Sequence, residues 1–246
     1  MPDEIFGSPR LAAIYDAQDP DRSDLDAYVG IAGELNTRRV LDLGCGTGTL
    51  AILLAARGID VVGVDPAVAS LDVAWAKPGA DRVRWIHGTA ETLPPLSVDL
   101  AVMTANVAQV FLTDDEFDGT LGGVRRALAP HGHLVFEVRD PARRAWLVWN
   151  REDTATSAFV DGVGRVDAWC DLLAVEGEWV SFRWTHVFAS EGDVVTSDST
   201  LRFRSREAVE ARLVASGFVV EEVREAPDRP GLEMVFIASM PNESAG

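Results

Sequence analysis

The chain has 246 residues, 47% hydrophobic and 25% charged, which is enough to fill the core of one large domain and too apolar for a disordered segment. Thirty-nine Asp and Glu against 22 Lys and Arg leave a formal charge of −17, and a field of that sign weighs against nucleic-acid and anionic-membrane partners. Cys45 and Cys170 are too far apart for a disulfide framework or a metal-ligand set, the first ten residues lack a basic flank and apolar run, and no apolar stretch reaches bilayer length, so a cytoplasmic protein is expected.

Leu11–Tyr15 and Leu25–Leu35 carry helical spacing on either side of an Asp-rich stretch. Arg39–Leu43 is a short apolar run ending in a glycine turn, as a buried parallel strand should be. Leu50, Leu53 and Leu54 then mark a helix, Asp60–Asp65 a second strand, and Ala67–Trp75 a helix broken by Pro78-Gly79. Val83–His87, Leu100–Thr104 and Leu134–Arg139 are the third, fourth and fifth strands, with a helix over Glu116–Leu128. A helical stretch, Ala142–Asn150, leads into three alternating runs: Val166–Val175, Trp179–Ala189 and Val194–Arg204. Ser205–Ser216 returns to helix, and Phe218–Arg224 and Glu233–Ser239 are the last strands.

This order predicts a doubly wound α/β fold with a mainly parallel seven-stranded sheet. It divides into an N-terminal helical segment (1–38), a core (39–140 and 205–240) and an inserted three-stranded antiparallel element (141–204). The insert leaves from the carboxyl end of the fifth strand, the edge where open α/β sheets bind ligands, so it is expected to cover the crevice. Five of the seven tryptophans fall within it, either as a cover for an apolar substrate or as the core of a small sheet.

The central signal is Val40-Leu41-Asp42-Leu43-Gly44-Cys45-Gly46-Thr47-Gly48 between a strand and a helix, with Asp65 ending the next strand. The glycines let a ligand lie on the backbone, and Asp65 can accept both hydroxyls of an adenosine ribose. The dinucleotide fingerprint would need glycine at 49, where this chain has Thr49, and Asp42 would repel a pyrophosphate while attracting a cationic amine. S-adenosylmethionine (SAM) therefore fits better than NAD.

The stretch VLDLGCGTGTLAILLAARGIDVVGVDPA resembles the first two motifs of the class I SAM-dependent methyltransferases. The likeness continues through Gly88–Pro94, Val98–Asn106 and Leu128–Leu134, and covers roughly residues 35–140 and 205–240. It implies that Gly44, Cys45, Gly46 and Thr47 contact the methionine part of SAM and that Asp65 takes the ribose, with Pro66 beside the adenine. Thr89, Ala90 and Glu91 would line the adenine, although Thr89 stands where the family commonly has Asp. Thr104 and Asn106 would approach the transferring methyl, and Tyr15 resembles an aromatic that closes over the cofactor, with helix packing as its other reading. The product would be S-adenosylhomocysteine, and the acceptor a small molecule enclosed by the insert of a monomer or homodimer.

Methyl transfer is an in-line displacement, and alignment alone can supply about 7–11 kcal/mol. A base is needed only where the acceptor must lose a proton. The candidates are His186, on one face with Val180, Phe182, Trp184 and Phe188, and Glu137 at the end of the fifth strand. The other reading of His186 is a hydrogen-bonded core histidine. Arg139 could pair a substrate carboxylate or bridge to Glu137 or Asp140, and Trp184 could contact substrate. Arg183, Arg202 and Arg204 are expected on a solvated face. A SAM-binding module without catalysis and an NAD(P)-dependent oxidoreductase are the alternatives.

Overall fold

Runs such as Val40–Leu43 and Val61–Val64 are apolar on both faces, so they can be satisfied only inside a sheet covered by helices on both sides. In the computed structural model, which describes residues 3–241, that is where they lie. Met1 and Pro2, the start of the expected 1–38 segment, lie outside the described residues. Three single turns, α1 (Glu4–Gly7), α2 (Pro9–Ala12) and α3 (Tyr15–Gln18), precede α4 (Asp26–Glu34). The core follows as β1 (Arg39–Leu43), α5 (Thr49–Ala55), β2 (Asp60–Asp65), α6 (Val68–Ala76), β3 (Val83–His87), β4 (Val98–Met103), α7 (Asp114–Ala127) and β5 (Leu128–Arg139). After α8 (Arg151–Thr154) come β6 (Thr156–Val160), β7 (Gly164–Glu176), β8 (Trp179–Phe188) and β9 (Asp193–Arg202), and the chain ends with α9 (Arg206–Ala215), β10 (Val219–Glu225) and β11 (Glu233–Ser239).

The seven-stranded sheet has the order β10-β11-β5-β4-β1-β2-β3, and β11 alone runs against the rest. Strand order reverses between β1 and β4, so a crevice opens at their carboxyl ends. One face packs on α7, where Phe117, Leu121 and Val124 meet Leu41 and Phe136. The other packs on α4 and α5, where Tyr28, Ile31, Leu50 and Leu54 meet Val40, Val102 and Val135. Each such fully buried side chain contributes about 1.5–3 kcal/mol. A capping box fixes the start of α7: the Glu116 amide donates to Thr113 Oγ1 at 3.2 Å, and the Thr113 amide donates to Glu116 Oε2 at 3.0 Å.

The insert differs from expectation in two places. It is a four-stranded sheet, β6-β7-β8-β9, rather than three-stranded. β6 pairs only with β7 and is mostly exposed, so it lacks the alternation that marked the other three strands. The expected helix over Ala142–Asn150 is instead two 3-10 turns, Pro141–Arg143 and Ala145–Val148, separated by Arg144 at φ 49°. Leu11 and Ile14 of the N-terminal turns pack against Val166 and Phe188 of the insert, so these two segments form one wall.

The expected solvated face is also corrected. Only Arg183 is there, paired with Asp198. Arg204 is buried, donating to the Thr113 carbonyl at 2.9 Å and lying over the Phe117 ring. Arg202 bonds Asp114 and Glu178, and Arg212 bonds Asp114 and Asp118. Before entering α9 the chain passes beside the start of α7, and this network ties the end of the insert to the core.

Candidate active site

The glycine turn is shaped by β2. The Gly44 and Cys45 amides both donate to the Val64 carbonyl, which folds the chain back over the end of that strand. Gly44, Gly46 and Gly48 all have positive φ, at 74°, 52° and 78°. Their surroundings differ. A Cβ on Gly48 would meet the Trp85 ring at 2.4 Å, and one on Gly44 would meet Val107 at 2.6 Å, whereas one on Gly46 would meet nothing within 4 Å. Gly44 and Gly48 are packing glycines, and Gly46 faces open space.

Asp65 is buried and accepts the Gly46 amide at 2.8 Å and the Ala67 amide at 2.7 Å, so it locks the loop to the start of α6. Each of its oxygens retains acceptor capacity for a hydroxyl. Burial raises its pKa, opposed by those two amides. Asp42, two residues before Gly44 in β1, is fully buried; neither carboxylate oxygen has a partner within hydrogen-bonding geometry, although the Ala51 amide of α5 is close enough to lower its pKa somewhat. Burial, reinforced by the charge of Asp65, pushes it up to about 7. An unpartnered buried acid two residues before an open glycine cradle is costly unless a cation or donor meets it, which fits the ammonium and hydroxyl groups of SAM.

Strand alternation continues the α4/α5 face beyond the core. Past Val102, Val135 and Val235 on that face come Thr104, Glu137 and Glu233, because β11 starts at the edge where the parallel strands end. Thr104 and Asn106 are buried, and Ala105 and Asn106 have φ of 55° and 61°, two strained positions at the end of β4. The Asn106 amide donates to Glu137 Oε1 at 3.0 Å, and Asn106 Nδ2 donates to Glu233 Oε1 at 3.2 Å. Arg229 Nη1 also donates to Glu233 Oε1, at 2.8 Å. Burial, with Glu233 nearby, pushes Glu137 up to about 8. Arg139 Nε stands 3.6 Å from Glu233 Oε1, and the Arg139 amide donates to Gln109 Oε1 at 3.2 Å. Neither protein partner expected for Arg139, Glu137 or Asp140, pairs with it: the carboxylate that stands nearest is Glu233, while Asp140 caps the Pro141 turn and faces Arg143.

On the insert, His186 is buried with Nδ1 unpartnered, and burial lowers its pKa. It is therefore not a hydrogen-bonded core histidine. Trp184 lies beside it, with ring centroids 6.1 Å apart. The tryptophans divide: Trp146 and Trp149 pack on Phe203 and Phe182, whereas Trp169 lies outside under Arg151. Tyr15 is half-buried against Phe6, at 5.9 Å between centroids, and burial raises its pKa. Pro66 is exposed, and its carbonyl contacts His87 Nε2 at 3.1 Å. Thr89 joins a capping box with Thr92 and so has its own local role. Ala90 is buried against Gly123, and the Glu91 carboxylate turns towards Gly119 of α7.

Sequence reasoning missed Glu233, Arg229, Gln109 and one further set. Thr47 Oγ1 donates to Asp16 Oδ1 at 2.7 Å, and Asp16 Oδ2 pairs with Lys77 Nζ at 2.6 Å. Lys77 in turn donates to Thr49 Oγ1 at 3.1 Å, so the only lysine in the chain helps pin the N-terminal segment to the glycine loop.

A family model described as a methyltransferase domain matches residues 40–132. The demethylmenaquinone methyltransferase of Thermus thermophilus is 30% identical over 198 residues, covering 78% of this chain and 79% of that protein. The cypemycin N-terminal methyltransferase of a Streptomyces species is 34% identical over 119 residues, covering 48% of this chain and 49% of that protein. Among solved structures, a SAM-dependent methyltransferase from Clostridium acetobutylicum superposes with a TM-score of 0.76 at 17% identity, covering 95% of this chain and 98% of that one. A SAM-bound amino pentose methyltransferase from Micromonospora echinaspora gives 0.71 at 23% identity, covering 93% and 95%. These two likenesses show the fold.

Proposed function

Because the chain belongs to the class I SAM-dependent methyltransferases, we propose that it methylates a small molecule held between the carboxyl edge of the large sheet and the inner face of the insert. When bound, SAM supplies a methyl group on a positively charged sulfur, already a good leaving group. The observation that carries the reading is Asp42, a buried acid with two unpartnered oxygens two residues before an open glycine turn.

In this reading Asp65 accepts the ribose hydroxyls, at about 1.5–3 kcal/mol per charged hydrogen bond. The backbone of Gly44–Thr47 carries the methionine part and Asp42 faces its ammonium. Pro66, Thr89 and Ala90 border the adenine, and Tyr15 closes the entrance. Glu91 has no such role, because its carboxylate is turned to α7. Thr104 and Asn106 stand at the methyl side. Glu137, held there by the Asn106 amide, takes the proton when the acceptor must lose one, and its raised proton affinity suits that task near neutral pH. His186, buried on the insert with Nδ1 unpartnered, is the second candidate.

Two similar proteins, a demethylmenaquinone methyltransferase and an amino pentose methyltransferase, support a small-molecule acceptor. The test is transfer of labelled methyl from SAM into a small-molecule extract. We expect label in a compound below about 1 kDa, dependent on Glu137. Label in protein alone, or SAM binding without transfer across the extract, would overturn the reading.

A further inference from the structure

Arg139 stands apart from the other arginines of the interior. Arg202, Arg204, Arg212 and Arg229 each donate at least one hydrogen bond to a protein oxygen. The Arg139 guanidinium donates none among the described residues, and its nearest carboxylate oxygen, Glu233 Oε1, is 3.6 Å from Nε and already receives Arg229 and Asn106. Only 20% of the side chain is exposed, and burial lowers its pKa. A buried cation without a hydrogen-bonding partner is expensive, and the planar guanidinium fork suits a planar oxyanion.

Its surroundings are aromatic. The guanidinium carbon lies 5.6 Å from the centre of the Trp149 ring. Cys170 is close enough to act on its charge, and Cys170 is opposite Trp184 in the insert sheet. Arg139 thus reaches from the core to the insert at Trp149, which packs on Phe182, and near Cys170, the cross-strand partner of Trp184; all three aromatic side chains are half-buried.

We propose that Arg139 binds a carboxylate on the methyl acceptor, whose apolar or aromatic body lies against Trp149, Phe182 and Trp184. The proposal rests on the methyltransferase reading and specifies its substrate class. It is tested by calorimetry on the protein saturated with S-adenosylhomocysteine, using benzoate, benzamide and benzylamine as probes, in wild type and in Arg139→Gln and Arg139→Lys. Benzoate should bind wild type at least tenfold more tightly than either other probe. Arg139→Gln should abolish that preference, and Arg139→Lys should retain part of it. Equal binding of the probes, no binding of benzoate, or an intact preference in Arg139→Gln would overturn the proposal. S-adenosylhomocysteine affinity, measured first on the same samples, reports separately on the cofactor reading and on folding of the variants.

Discussion

Replacing Glu137 with Gln tests the electrostatics of the site without disturbing its shape, because Gln keeps an oxygen for the Asn106 amide. The Glu137 carboxyl is pushed from the ordinary glutamate value of 4.5 to about 8 by burial, with Glu233 adding to the shift. A carboxyl with a raised folded-state pKa holds its proton longer when folded. The wild type therefore loses stability as pH rises from about 4.5 to about 8, and the loss is complete above that. Between pH 6 and pH 8 this amounts to about 2.7 kcal/mol at 1.36 kcal/mol per pH unit. For a chain of this length, each kcal/mol moves Tm by about 2–4 °C. Thermal melts of both proteins at pH 6 and pH 9 should show the Tm of Glu137→Gln rising relative to wild type by about 5–10 °C across that range. Taking the difference between the two proteins cancels the titrating groups that lie away from the Glu137–Glu233 cluster. A constant offset between them would mean that Glu137 ionises normally, and the buried cluster would be wrongly described.

Gly48→Ala should cost about 3 kcal/mol of stability, since it combines a left-handed backbone with a clash on Trp85. Gly46→Ala should cost only about 1 kcal/mol on chemical denaturation yet weaken S-adenosylhomocysteine binding tenfold or more, because its Cβ would point into open space. His186→Phe should leave methyl transfer within severalfold of wild type, whereas Glu137→Gln should lower it about 100-fold or more; the reverse order would make His186 the proton acceptor. Wild type should also lose stability below about pH 6.5 relative to His186→Phe, because burial lowers the His186 pKa and the folded state resists its protonation. Asp16→Ala and Lys77→Ala should each speed S-adenosylhomocysteine release, and the double variant should add little, as expected of one shared contact measured in a double-mutant cycle.

Much of the fold was legible because strand and helix periods and glycine punctuation are local. The glycine turn and Asp65 were legible for the same reason: both lie within one strand–turn–helix–strand unit. Glu137 and Arg139 followed from alternation along one strand. Glu233 did not, because nothing in its own neighbourhood says that β11 runs antiparallel and so begins at the ligand edge. Asp16 and Lys77 meet across 61 positions of sequence, a pairing made by tertiary packing alone. β6 was lost because an edge strand pairs on one side and needs no buried stripe. Arg204 looked solvated because alternation was carried past the end of β9, where the chain passes beside the start of α7.

The central claim is that the Gly44–Gly48 turn, Asp42 and Asp65 form a SAM site. Calorimetric titration of the purified protein with SAM and S-adenosylhomocysteine, with NAD as control, tests it most directly. The account predicts micromolar or tighter binding of both adenosyl-sulfur compounds and none of NAD. Binding of NAD, or of neither sulfur compound, would contradict it.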